Sequence, residues 1–214
     1  MISILHPSRG RPEKAKQTAN EWVDNIGDVK WEYIISLDID DNTLTKYPLW
    51  LLQENVFTIV GDNTSVVEAT NQAAKKATGD ILIYVTDDFK CFPNWGKVIE
   101  DRIGDTSKPV MLKVDDCLQQ FRVGVLTIPI MTRALYKMLG YFFHPEYKSM
   151  HVDVDLFETC KKLGVIKYCP DLKFPHHHVS NGKAEMDETY RRSTAHWNQG
   201  LEVIAKRRRL GFPI

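Results

Sequence analysis

Apolar positions along this chain fall into two rhythms. Short unbroken runs read as strands: "ISILH" from Ile2, "WEYIISLDI" from Trp31, "NVFTIVG" from Asn55 and "DILIYV" from Asp80. Two longer stretches between them carry the helical spacing. Pro12 suits a first helical turn, and "EKAKQTANEWVDNI" then repeats Ala15, Ala19, Trp22, Val23 and Ile26 on one side. "NTSVVEATNQAAKKATG" opens on capping residues, runs through Val67, Ala69, Ala73, Ala74 and Ala77, and stops at Gly79.

Strands alternating with helices of this length predict an α/β fold: a Rossmann-like, mostly parallel sheet with helices on both faces. Beyond Trp95 the order loosens. "PVMLKV" and "FRVGVLTIP" read as strands of an antiparallel extension in the C-terminal half, and "VIKYCP" as a short further strand. "IMTRALYKMLG" and "DVDLFETCKKLG" read as helices ending at glycines, and the charged tail from Ala184 to Arg209 as helical. No repeat, linker or composition break appears, so one domain over 1–214 is expected: a nucleotide-binding half (1–90), an acceptor and metal half (91–190) and a basic C-terminal helix (191–214).

Composition narrows the class. Hydrophobic residues make up 43% and charged ones 26%, the balance of an ordinary soluble globular protein. Lys+Arg and Asp+Glu are equal at 28 each, so no global basic field grips nucleic acid. Cys91, Cys117, Cys160 and Cys169 show no C-x-x-C pairing. With no secretory segment and no apolar run long enough to span a membrane, reduced thiols and a cytoplasmic location are expected.

In open parallel sheets ligands sit beyond the carboxyl ends of the strands. That rule gathers "HPSRGR", "DIDD", "GDN" and "TDD" on one rim. Most Asp residues after a strand are turns or helix caps. The adjacent pair Asp87 and Asp88, on the same rim as Asp38 and Asp40, points instead to a hard-cation site. His176, His177 and His178 stand together in "FPHHHVSNGK" and could add imidazole to such a site. Asp153 and Asp155 open a helix, where charge complements the dipole; Asp153 also suits a general base if it faces the rim. Arg9 and Arg11 follow a strand end and can hold phosphate or a base edge. Neither G-x-G-x-x-G nor G-x-x-x-x-G-K-[ST] occurs, which removes the main support for Rossmann hydride transfer and for P-loop chemistry.

The order of these features resembles that of A-type-fold, family 2-like nucleotide-sugar glycosyltransferases, particularly the short members from phages and bacteria. "LHPSRGRP" leads into "ISLDIDD", then "GDNTSVVEATNQAAKKATGDILIYVTDDF", the "DVDL" helix start and the late "HHHVSNGKAEMDETY". The likeness spans roughly residues 2 to 190 and is most specific from Asn71 to Phe89. It implies that Pro7, Ser8, Arg9 and Arg11 lie under the nucleotide, with Asp38 reading the base and Asp40 nearby. Asn71 and Asp87 fall among the donor contacts, Asp87 at the ribose or supporting the site. The resemblance further implies that Asp88 holds Mn²⁺ or Mg²⁺, with His176 or His178 completing the shell, and that Lys183 reaches the diphosphate. "TDD" departs from strict D-x-D through Thr86. Asp153 matches the usual catalytic base, with Val152 where a Glu is expected and His151 before it. The implied reaction moves a sugar, with inversion, from a nucleoside-diphosphate donor (a UDP-sugar by resemblance) to an acceptor hydroxyl on a glycan or a modified DNA base.

Two rivals come from other readings of the same residues. "DIDDNT" approaches the D-x-D-x-[TV] nucleophile motif of haloacid-dehalogenase-like phosphatases, but carries Asn42 at the fifth position and follows the second strand. "KRRRLGF" at the C-terminus offers Arg207, Arg208 and Arg209 to a DNA backbone, alone or as the acceptor grip of a glycosyltransferase. A nucleotide-binding relative without activity is the third alternative, against which the presence of both Asp88 and Asp153 counts.

Overall fold

The computed structural model describes residues 1–47, 54–118, 121 and 123–214. The expected strands form β1 (Ile2–Ser8), β2 (Trp31–Asp38), β3 (Val56–Gly61) and β4 (Ile81–Tyr84). Every residue of β1 is buried, and all of β2 after Trp31, because both strands are covered on two faces. β5 (Met111–Asp115), β6 (Ile130–Thr132) and β7 (Ile166–Lys173) complete a seven-stranded sheet in the order β3-β2-β1-β4-β6-β5-β7. β6 runs antiparallel to both β4 and β5; the other pairings are parallel.

Helices α1 (Pro12–Asp24) and α3 (Trp95–Ile103) cover one face. Trp22 and Trp95 meet edge to face at 5.0 Å in a core shared with Ile4, Ile35 and Ile83. α2 (Val66–Lys76), α4 (Arg133–Leu139), α5 (Val152–Leu163) and α7 (Trp197–Arg209) cover the other, around Leu82, Met131, Leu135, Phe142, Leu156 and Ile204. α4 and α5 stop at Gly140 and Gly164 as expected. The short α6 (Glu188–Thr194) lies over the sheet's rim.

Two sequence expectations are corrected and one helix is added. The apolar stretch 121–129 forms no strand among its described residues; Arg122 lies outside them. Leu126 and Ile128 are nonetheless buried, so their hydrophobicity reflects core filling by a loop. The helix read from Ile130 begins only at Arg133, the first three residues being β6. α3 was not anticipated: its entry residue Asn94 takes a left-handed conformation, and Gly96 lies so close to Ile26 that a Cβ would stand 2.5 Å from that side chain.

The basic tail is also reassigned. Arg207 is 3% exposed and binds Asp155, itself 1% exposed, through Nε at 2.8 Å. Its other nitrogens reach Thr159 and the Pro213 carbonyl. Lys206 pairs with Glu146. Half of "KRRR" therefore fastens α7 to α5 and to the loop before it, and Arg207 cannot meet a phosphate. Among the described residues no helix is long and apolar enough to cross a membrane.

Removing one partner of a buried ion pair leaves the other charge uncompensated. Arg207→Ala is expected to cost about 3–5 kcal/mol in urea unfolding, and adding Asp155→Leu should recover much of that loss. A loss below about 1 kcal/mol would show the pair to be solvent-screened.

Candidate active site

Several segments converge on a cavity of about 490 Å³ at the carboxyl ends of the parallel strands. They include the loop leaving β1, the end of β2, the start of α2, the turn after β4, the loop at Leu126 and Thr127, the entry to α5 and the segment from His176 through α7's first residue. Of the residues expected at the site, Pro7, Ser8, Arg9, Arg11, Asp38, Asp87, Asp88, Asp153, His176 and His178 all line it.

Adjacent side chains past β4 diverge, and each carboxylate of the pair finds its own partners. Asp87 turns inward. His6, fully buried, donates from Nε2 to Asp87 at 2.9 Å while the Tyr33 hydroxyl lies 2.6 Å from Nδ1. Ser8 Oγ donates to the same Asp87 oxygen at 2.9 Å and meets the Tyr47 hydroxyl at 2.9 Å. Arg11 stands 3.9 Å from the other oxygen. Burial, with the charge of Asp87, pushes the Tyr33 phenol well above its ordinary value, and burial likewise raises Tyr47.

Asp88 faces the cavity. Thr86 Oγ1 donates to one oxygen at 2.6 Å, and the Tyr190 hydroxyl to the other at 2.5 Å. His176 Nε2 lies 3.4 Å from that second oxygen. Burial alone would raise this carboxyl; the hydrogen bond and charge of His176, with Thr86 and Tyr190, reverse the shift and hold it well below the usual carboxylate range.

A short backbone ladder delivers the late histidine. His177 N donates to the Asp88 carbonyl at 2.8 Å, Lys90 N to the Pro175 carbonyl at 2.9 Å, and Phe89 pairs antiparallel with His176. His176 N in turn donates to Asp116 past the end of β5.

Whether these groups suit a divalent ion is a question of donor chemistry. His176 presents Nε2 to Asp88 and leaves a buried Nδ1 with no hydrogen-bond partner. His178 spends Nδ1 on Ser180, and its ring lies 4.9 Å from that of His176. One carboxylate and two imidazoles fit an ion such as Mn²⁺. Among the described residues no three His, Cys, Asp or Glu groups are already arranged as a metal cage; Tyr190 holds the Asp88 oxygen that would turn to the ion.

The remaining expected residues separate. Arg9 donates to Asp38 at 2.9 Å and to both oxygens of Asp40, one contact being very short. Asp38 also accepts from Asn63 at 3.1 Å. Asp40 is exposed and lies off the cavity wall. Asn71 does not line the cavity: its amide accepts from Phe142 N and Phe143 N and donates to the Phe143 carbonyl, pinning the turn after α4. Lys183 is exposed and also off the wall. Asp153 lines the cavity at the first turn of α5, and burial raises its carboxyl above the ordinary value.

Sequence reasoning did not single out His6, Tyr33 or Tyr47, and it gave no role to Asp187 or Tyr190 within the family-like "HHHVSNGKAEMDETY". Arg11 forms a two-point bond to Asp187 at 2.7 Å and stacks over the Tyr190 ring at 4.4 Å. Asp187 also caps α6. A histidine inside an otherwise apolar strand was the available signal for His6; Asp187 and Tyr190 are the polar and aromatic positions of "DETY".

Solved structures share this architecture. Residues 1–349 of TarS from S. aureus match with a TM-score of 0.63 at 18% identity, over 81% of this chain and 59% of that one. The same TarS segment in complex with UDP-GlcNAc gives 0.60 at 18%, over 88% of this chain and 63% of that one. The mannosyltransferase PcManGT from Pyrobaculum calidifontis, in complex with GDP-Man and Mn²⁺, gives 0.66 at 11%, over 96% and 64%. The fold is thus that of the A-type nucleotide-sugar glycosyltransferases. This chain spans under two thirds of the length of each of those structures. No protein-family model and no curated protein matches the sequence.

The His6 bridge gives a direct test of how Asp87 is held. His6→Ala should lower stability by about 1–3 kcal/mol through the Tyr33 hydroxyl left unsatisfied, Asp87 keeping Ser8. His6→Gln, which can still donate to Asp87, should lose less in the same urea titration. Equal losses would mean that only ring packing matters.

Proposed function

We propose that the protein is a metal-dependent glycosyltransferase, moving a sugar from a nucleoside-diphosphate donor to an acceptor hydroxyl with inversion at the anomeric carbon. The observation that carries this reading is the meeting of Asp88 and His176, 88 positions apart, at 3.4 Å, in a cavity that Asp153 also lines. A UDP-sugar is the donor we favour; the structural neighbours include TarS with UDP-GlcNAc and a mannosyltransferase with GDP-Man and Mn²⁺.

Each residue then has a task. Asp38, oriented by Arg9 and Asn63, accepts from the base; Pro7 and Ser8 form the floor beneath the nucleoside, with Asp87 near the ribose. Asp88, His176 and His178 would hold Mn²⁺ or Mg²⁺, whose charge stabilises the diphosphate as it departs. Asp153 takes the proton of the acceptor hydroxyl while that oxygen bonds to the anomeric carbon. The carbon–phosphate oxygen bond breaks on the opposite side, and its electron pair leaves with the diphosphate. The raised pKa of Asp153 makes it a stronger base than a free carboxylate.

The phosphatase alternative asks for a free carboxylate in "DIDDNT". Asp38 and Asp40 are both gripped by Arg9, and Asp41 is spent on Gly10 N and Thr43. This pairing weighs against a nucleophile there.

With Mn²⁺ present, UDP or a UDP-sugar at a hundredfold excess over its dissociation constant should stabilise the fold by about 2.7 kcal/mol. Asp88→Ala should abolish that gain, and stabilisation equal without metal would overturn the metal assignment. Asp153→Asn should keep donor binding and lose about 10²–10⁴-fold in transfer. Because Asp153 works deprotonated, wild-type kcat/KM should fall as pH drops through a value above that of a free aspartate, about 3.9. Full turnover by Asp153→Asn would sink the base assignment.

A further inference from the structure

Four permanently cationic side chains line the cavity, and they are of two kinds. Arg9 and Arg11 are committed to Asp38, Asp40 and Asp187 at short range. Lys148 and Arg192 have no carboxylate within ion-pair distance among the described residues. Lys148 Nζ donates to a neutral hydroxyl, Thr64 Oγ1, at 3.3 Å. Arg191, next to Arg192 on α6, takes Glu188 at 3.6 Å. The acid whose charge Arg192 does feel is Asp40, which Arg9 already grips. Two cations without a carboxylate at ion-pair distance, on a cavity wall, are a place for an anion.

The same wall carries an aromatic face that packing does not explain. Trp197, at the first turn of α7, is 48% exposed, although a ring of this size is ordinarily worth burying. One side rests on the His151 ring at 4.6 Å, two residues before Asp153. The backbone on either side of it is held. Gly200 presses on the Met150 carbonyl so closely that no Cβ would fit, and Ser193 of α6 bonds Ser149. His196 joins the patch. Burial, with the charges of Lys148 and Arg192, keeps its imidazole below the usual value, which places all three groups within electrostatic reach of one another.

Resting on the glycosyltransferase reading, we propose that the wall where α6 meets α7 is an acceptor subsite for a phosphate-bearing carbohydrate. Trp197 stacks against the sugar ring, and Lys148 with Arg192 holds the phosphate. The acceptor hydroxyl is thereby presented beside Asp153. The phosphate can be a monoester or a diester within a longer chain; both offer the oxygens these cations bind.

The test uses the full chain. The Trp197 indole N–H signal is identified in a two-dimensional NMR spectrum by its loss in Trp197→Phe. Glucose 6-phosphate and its methyl phosphodiester are then titrated beside neutral methyl glucoside. The Trp197 signal should move with one or both phosphates and stay in place with the neutral sugar; which phosphate binds more tightly tells monoester from diester. Lys148→Ala with Arg192→Ala should weaken that binding by about tenfold or more, while stabilisation by UDP with Mn²⁺ persists. Equal binding of the neutral glucoside overturns the phosphate assignment. Loss of nucleotide stabilisation with sugar-phosphate binding intact assigns these cations to the donor and overturns the subsite. Tighter binding of a single-stranded oligonucleotide than of either sugar phosphate overturns the carbohydrate class. Failure of every nucleotide to stabilise the wild type removes the glycosyltransferase reading instead, and the sugar-phosphate titration still decides whether the wall binds its ligand.

Discussion

Two carboxylates on neighbouring residues repel, and the site is organised around keeping them apart. Asp87 is drawn into the sheet's rim by a buried histidine, a serine and an arginine; Asp88 turns up to Thr86, Tyr190 and His176. The pair sits in the turn after β4, where each carboxylate meets a different set of partners. Without separate partners for each, one of the pair would take up a proton, and its ability to meet a cation would go with it.

From that division the rest of the site follows. The ladder between residues 88–90 and 175–177 positions His176 through backbone hydrogen bonds, so the imidazole depends on β7 lying at its place in the sheet. α6 closes the far side: Arg11 and Asp187 anchor its start, and Tyr190 reaches Asp88. Tyr190 thus donates to the same Asp88 oxygen that faces His176.

Much of this was legible in the sequence where one physical cause dominates. β1, β2 and β4 are covered on two faces, so continuous apolar runs betrayed them; the rim followed from the fold, and with it Pro7, Ser8, Arg9, Arg11, Asp38, Asp87 and Asp88. Misreadings arose where burial and secondary structure part company. Leu126 and Ile128 fill the core from a loop, and α3 hides behind Pro93, Asn94 and Gly96. Asn71, inside the most family-like block, is structural in its hydrogen bonding. The Arg11–Asp187 and Arg207–Asp155 pairs span 176 and 52 positions and leave no local trace. Nor could spacing choose between the histidines; geometry sets His176 Nε2 against Asp88 and His178 beside it.

The central claim is that Asp88 and His176 share one divalent ion beneath the donor's diphosphate. Anomalous diffraction at the manganese edge, on crystals grown with Mn²⁺ and UDP, tests it most directly. A single peak bonded to an oxygen of Asp88 and to His176 Nε2, with Tyr190 swung aside, is the expected result. A well-ordered nucleotide with manganese elsewhere, or with Asp88 still held by Tyr190, would contradict it.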